Sequence, residues 1–191
     1  HSLPEDIFFP ISYQQKIQQR NNIIGPERED HFVLFWVNRN ARRKRPNDLL
    51  YSFKNFLDNL EKKHGHRKAT LLMHTDPRDP EGPNLFAVTE MLDIKENVVF
   101  SNQRVDFKTM NLLHNISDVC INVSYAEGFG LSTLEAMQTG TPIIAPTTGG
   151  QTRQVVNAYT NEENGVALPI KVKTLVGSQT VPYIWEDMVC N

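Results

Sequence analysis

At 191 residues the chain is long enough for one domain with a full core and too short for two of ordinary size. Apolar residues make up 39% and charged residues 22%, the balance of a soluble globular protein, and a net charge of -2 argues against an overall electrostatic drive toward nucleic acid or an anionic membrane. There is no run of the length a membrane helix needs, and no signal peptide is expected; Cys120 falls in an expected buried strand and Cys190 at the extreme end, so a disulfide framework is not expected and a cytoplasmic location is.

The opening residues 1–10 hold two prolines and the apolar Ile7-Phe8-Phe9, and read as the middle of a longer chain. Residues 14–30 are polar, with Gly25-Pro26 as a breaker, and predict a short helix followed by a loop. Residues 32–37 are a continuous apolar run of strand length, suited to burial on both faces of a parallel sheet. A basic cluster follows at once, with Arg39, Arg42, Arg43, Lys44 and Arg45. Such a cluster is ordinarily a solvated face or a polyanion contact, yet this one stands beyond the carboxyl end of a strand, where open α/β sheets bind ligands. No aromatics interleave it, which argues against a nucleic-acid patch.

Leu49, Leu50, Phe53, Phe56, Leu57 and Leu60 recur at helical spacing over residues 47–64, with Asn47 or Asp48 as N-cap. Residues 70–75 predict a strand ending at His74; a lone histidine there ordinarily hydrogen-bonds a neighbouring loop, and no second ligand stands at metal-binding spacing. A Pro- and Gly-dense loop over 76–83, a helix over 85–92, a strand over 97–100 and a loop over 101–105 come next. Asp106 is placed to cap a helix with Phe107, Met110, Leu113 and Ile116 on one face, and residues 118–123 predict a buried strand. The glycosylation-like triplets at Asn115 and Asn122 fall in predicted regular structure and read as chance. Further strands are expected at 143–145 and 166–168, a helix at 152–158, and the start of a helix at 184–189.

The chain is organised around residues 125–137, Tyr-Ala-Glu-Gly-Phe-Gly-Leu-Ser-Thr-Leu-Glu-Ala-Met. Its order is strand, glycine loop, helix, with a stop at Gly140 and Pro142. Gly128 and Gly130 let backbone approach a ligand, and the loop delivers it to a helix N-terminus that favours an anion such as a phosphate. Glu127 sits in the loop. Glu135 lies at the edge of an expected apolar stripe of Leu131, Leu134 and Met137, where a partly desolvated carboxylate suits the paired hydroxyls of a ribose. The same spacing also fits an ordinary turn with both glutamates solvated or complementing the helix dipole.

Glu127 and Glu135, with seven residues between them within Glu-Gly-Phe-Gly-Leu…Glu-Ala-Met, resemble the Glu-x7-Glu motif of retaining, nucleotide-sugar-dependent glycosyltransferases of the GT-B fold, the glycogen-synthase-like group. The resemblance continues through Gly140-Thr141-Pro142, Gly149-Gly150 and Asn164-Gly165. It implies an α/β, doubly wound, mainly parallel Rossmann-like sheet, with residues 1–30 a linker and lead-in and residues 31–191 the donor-binding domain. The acceptor-binding amino-terminal domain is expected outside this chain. Catalytic roles would fall to Glu127, Arg39 and Lys44; Arg39 and Lys44 match the family's diphosphate-holding pair, although Asn38 and Arg45 stand where its pattern has glycines. Donor contacts would come from Gly128, Phe129, Gly130, Leu131, Glu135 and, beside the base, Arg104.

The implied partners are a nucleotide-diphosphate sugar and an acceptor saccharide, lipid or other small molecule, with no nucleic acid, no metal and no other cofactor. Any peripheral membrane contact would come through the other domain. Alternatives on the same fold are a nucleotide-sugar epimerase, a phosphorylase with a pyridoxal lysine for which only Lys171 or Lys173 could be nominated, or a non-catalytic nucleotide-binding module.

Overall fold

A computed structural model describes residues 3–4 and 6–170; Lys171, Lys173, the helix start expected at 184–189 and Cys190 lie outside the described residues. Six strands alternate with helices: α1 Tyr13–Ile24, β1 Phe32–Val37, α2 Pro46–His64, β2 Ala69–His74, α3 Leu85–Met91, β3 Val98–Ser101, α4 Phe107–Asn115, β4 Val119–Ile121, α5 Leu131–Gln138, β5 Ile143–Pro146, α6 Thr152–Val155 and β6 Val166–Leu168. They form one sheet in the order β3-β2-β1-β4-β5-β6, and every pair is parallel. This is the doubly wound, Rossmann-like sheet expected from strand–helix alternation. Strand order reverses between β1 and β4, so a crevice opens beyond their carboxyl ends.

Burial of β1 on both faces builds the core. Leu34 and Trp36 point to a cluster with Leu49, Leu50, Phe53 and Leu57 of α2, while Val33 and Phe35 point to one with Leu113, Ile116 and Ala136 on the opposite face. The strands at 32–37 and 166–168 have the expected bounds; β4 is shorter, ended by Asn122, whose Oδ1 accepts from the backbone N–H of Ser124 at 2.9 Å. Asn115 and Asn122 are both buried, which suits the reading of their triplets as chance.

Three local expectations are corrected. The N-cap of α2 is Arg45, in the left-handed region at φ 54°, because Pro46 occupies the first helical position with its φ pre-set; Asn47 and Asp48 are exposed. The buried side of α5 is Thr133 and Ala136, and Leu131 is 50% exposed at the mouth of the crevice. The expected helix at 152–158 ends at Val155, after a 3-10 turn over Gly149–Gln151.

Residues of the lead-in pack on this domain. Ser12 caps α1 through a capping box, Phe8 is buried, and Asn111 and Asn115 of α4 bond the backbone of Phe9 and Ile11. Asp118 accepts from Lys16, from the buried Arg20 and from Val33 N–H, at 3.0, 2.8 and 2.8 Å, tying α1 to the sheet. No helix among the described residues is long and apolar enough to cross a membrane.

Candidate functional site: the crevice at the strand reversal

The crevice holds a cavity of about 390 Å³ whose walls are Val37 and Asn38 after β1, Lys44, Met110 of α4, Glu127, and Phe129, Gly130, Leu131, Ser132 and Glu135 around the start of α5. Parallel strands throw their following loops to the same edge, so residues distant in sequence meet there. Of the nine residues singled out from sequence, six line this cavity: Lys44, Glu127, Phe129, Gly130, Leu131 and Glu135.

The basic segment after β1 turns over Arg42–Lys44 and is stitched to the motif loop, with Tyr125 N–H donating to Arg43 C=O at 2.9 Å and the Arg43 guanidinium to Ala126 C=O at 3.2 Å. That turn aims Lys44 inward. Its ammonium pairs with the Glu127 carboxylate, and the two side chains are 7% and 13% exposed. Burial lowers the pKa of Lys44, and the bond to Glu127 works against that shift.

Gly130 holds the left-handed conformation that ends the loop, at φ 86°, and α5 begins with no side chain capping its first turn. Gly149 and Gly150 allow the loop to lie against them: a Cβ on Gly149 would run into the Glu127 carbonyl oxygen, and Gly150 N–H donates to Gly128 C=O at 2.9 Å. Gln154 donates to Phe129 C=O at 2.7 Å and Gln151 to Thr133 Oγ1 at 2.9 Å, fixing loop and helix together. Gly128 itself is exposed with open space where a Cβ would stand.

Three expected participants line no part of the cavity: Gly128, Arg39 and Arg104. Arg39, 61% exposed, forms a two-point ion pair with Asp79 at 2.7 and 3.0 Å, so Arg39 and Lys44 do not converge. Arg104 is exposed and lines no part of the cavity. His74 bonds Ser101 Oγ at 2.9 Å, and burial lowers its pKa. A residue not nominated from sequence, the buried His114 of α4, reaches Glu135 Oε2 with Nε2 at 3.1 Å. Its signal is positional: it stands one turn after Met110 and directly after the core residue Leu113. Among the described residues no three His, Cys, Asp or Glu side chains gather as a metal-holding group.

Residues 17–176 match the family of glycosyl transferases group 1. The chain is 28% identical over 163 residues to an uncharacterized glycosyltransferase of Methanocaldococcus jannaschii, covering 85% of this chain and 38% of that one. It therefore spans about two fifths of that relative's length. Its backbone matches the C-terminal domain of a glycosyl transferase group 1 family protein of Francisella tularensis with a TM-score of 0.64 at 21% identity, covering 89% of this chain and 81% of that one. HepE of Anabaena, solved in complex with UDP and glucose, matches with a TM-score of 0.67 at 19% identity, over 88% of this chain and 41% of that one. The chain belongs to the glycosyl transferases group 1 family, and its fold is that of the Rossmann-like C-terminal domain of GT-B glycosyltransferases.

Proposed function

We propose that this chain is the donor-binding half of a glycosyltransferase that moves a sugar from a nucleoside diphosphate to an acceptor with retention of configuration. The observation that carries the reading is one cavity holding a buried lysine, its paired carboxylate Glu127 and the uncapped start of α5. An ammonium and a helix N-terminus on the same cavity suit a diphosphate; a carboxylate beside them suits a sugar hydroxyl rather than the anion.

On this reading Lys44 and the Gly130-Leu131-Ser132 backbone take the diphosphate, Glu127 turns to the transferred sugar, and Glu135 accepts from the ribose. Charge develops on the diphosphate as the bond to the sugar breaks, and donors already aimed there stabilise that transition state more than the ground state. Arg39 is the second cation, drawn from Asp79 as the anion enters; an exposed pair of that kind is readily given up. Arg104 is assigned to the base. The scheme uses no metal. Groups that orient the acceptor belong to the amino-terminal domain of such an enzyme, and the UDP complex of the similar HepE fold supports a nucleotide donor.

The test is a thermal-stabilisation screen with UDP-, GDP- and ADP-sugars, followed by proton NMR of the glycoside formed when an amino-terminal domain and acceptor are supplied. A donor that stabilises the wild type and not Lys44→Ala, with the donor's anomeric configuration kept in the product, is the expected result. An inverted product refutes retention, and stabilisation by none of the donors refutes the nucleotide-sugar assignment.

A further inference from the structure

Glu135 is held by a neighbouring helix rather than its own. His114, 21 residues earlier, places Nε2 at 3.1 Å from Oε2, and among the described residues the Glu135 side chain makes no other hydrogen bond. The imidazole is fully buried, edge-on to Phe35 at 5.0 Å and to Phe8 at 6.2 Å between ring centroids. Its backbone is fixed as well, since His114 C=O accepts from Thr141 Oγ1 at 2.9 Å. A carboxylate offers only acceptors, so this contact requires the proton on Nε2; among the described residues Nδ1 has no hydrogen-bond partner. A ring wedged between two aromatics cannot swing away, and the oxygen it holds cannot follow a different rotamer without losing its donor.

Resting on the nucleotide-sugar reading above, we propose that His114 is a positioning residue for ribose recognition: its Nε2–H fixes Oε2 of Glu135 so that Oε1 enters the cavity in one orientation, ready to accept from a vicinal diol. Glu135 is 15% exposed on its side chain and lines the cavity, so Oε1 has a route to ligand that the buried imidazole lacks. The carboxylate then binds the diol without first losing rotamer freedom, which raises affinity for a ribose over a sugar without hydroxyls.

Two measurements test this. Nitrogen-15 NMR of the histidine rings in the unliganded protein should show His114 protonated at Nε2, with a resonance that shifts in Glu135→Ala; an Nε2 without a proton overturns the proposal whatever the ligand is. Calorimetry then compares UDP, GDP and ADP with their 2′,3′-dideoxy forms. For whichever base binds, His114→Phe, which keeps an aromatic ring in an aromatic site, should reduce the ribo-to-dideoxy affinity ratio by about tenfold while leaving the dideoxy affinity unchanged. His114→Gln, whose amide nitrogen comes near the place of Nε2, should restore most of the ratio. A wild type that discriminates alongside a His114→Phe that discriminates equally overturns the role of His114 alone. A wild type that binds ribo and dideoxy forms equally overturns ribose contact, and one that binds no nucleotide overturns the parent reading and this proposal with it.

Discussion

Lys44 and Glu127, 83 residues apart in sequence, form a buried ion pair inside the cavity where the strand order reverses. Removing one partner of such a pair leaves a charge without compensation, whereas replacing both with apolar groups is close to neutral. Lys44→Met should therefore lower stability by about 3 kcal/mol, and the double variant Lys44→Met, Glu127→Leu should return to within about 1 kcal/mol of the wild type. Urea denaturation measures both. The double variant should not bind nucleotide, which separates the pair's functional role from its contribution to the fold.

The lowered pKa of Lys44 gives the site a pH dependence. An ammonium is needed to hold a diphosphate, so affinity should fall as pH rises through the folded-state value, which lies below the ordinary 10.5. Stability moves the other way: the folded chain releases this proton before the unfolded chain does, so rising pH in that window favours folding. In Lys44→Arg the fall in affinity should disappear, because guanidinium stays charged. Calorimetric titrations from pH 7 up to the ordinary 10.5 would check this, with a wild-type profile as flat as that of Lys44→Arg across the whole range as the contrary outcome.

Much of this arrangement was legible before the fold. The continuous apolar run of β1 has strand length and suits burial on both faces, and Glu127, Gly130 and Glu135 stand where a loop meets a helix. What could not be read was partnership between loops. Arg39 and Asp79 are 40 residues apart and meet only because parallel crossovers bring the ends of β1 and β2 to one edge. His114 was hidden by the apolar stripe around it, its partner being on another helix. Leu131 belongs to the apolar stripe expected on α5 and also lines the cavity as an expected donor contact, because helical spacing alone does not tell a core face from one lining a cavity.

Arg39 offers a paired test. If Asp79 competes with the diphosphate for its guanidinium, Asp79→Ala should tighten nucleoside diphosphate binding and Arg39→Ala should weaken it by roughly tenfold. Equal affinities in wild type and both variants would assign Arg39 to the surface ion pair alone.

The glycines separate by role. Gly149→Ala should cost about 2 kcal/mol or more, since it combines a positive φ of 50° with a collision against Glu127 backbone, and should weaken binding by displacing the loop. Gly128→Ala meets open space and should leave the melting temperature unchanged; a loss of nucleotide affinity in that variant would mark ligand passing close to the backbone.

Asp118 contributes to the acid limb of stability. Burial raises its pKa, but Val33 N–H, Lys16 and Arg20 outweigh this and hold it below the ordinary 3.8. Its contribution is full above that value and is lost as pH falls through the folded-state pKa. Asp118→Asn should lower stability at pH 7 by about 2–3 kcal/mol, short of the full buried-pair penalty because Asp118 is 26% exposed, and should flatten the decline in acid. Thermal melts from pH 2 to pH 7 would show it.

The central claim is that the Lys44 cavity holds a nucleoside diphosphate, and isothermal titration of UDP, GDP and ADP into the wild type and Lys44→Ala tests it most directly. At least one nucleotide should bind the wild type, with Lys44→Ala weaker by about tenfold to a hundredfold while circular dichroism reports an intact fold. Binding of equal strength in the two proteins, or no binding to either, would contradict the account.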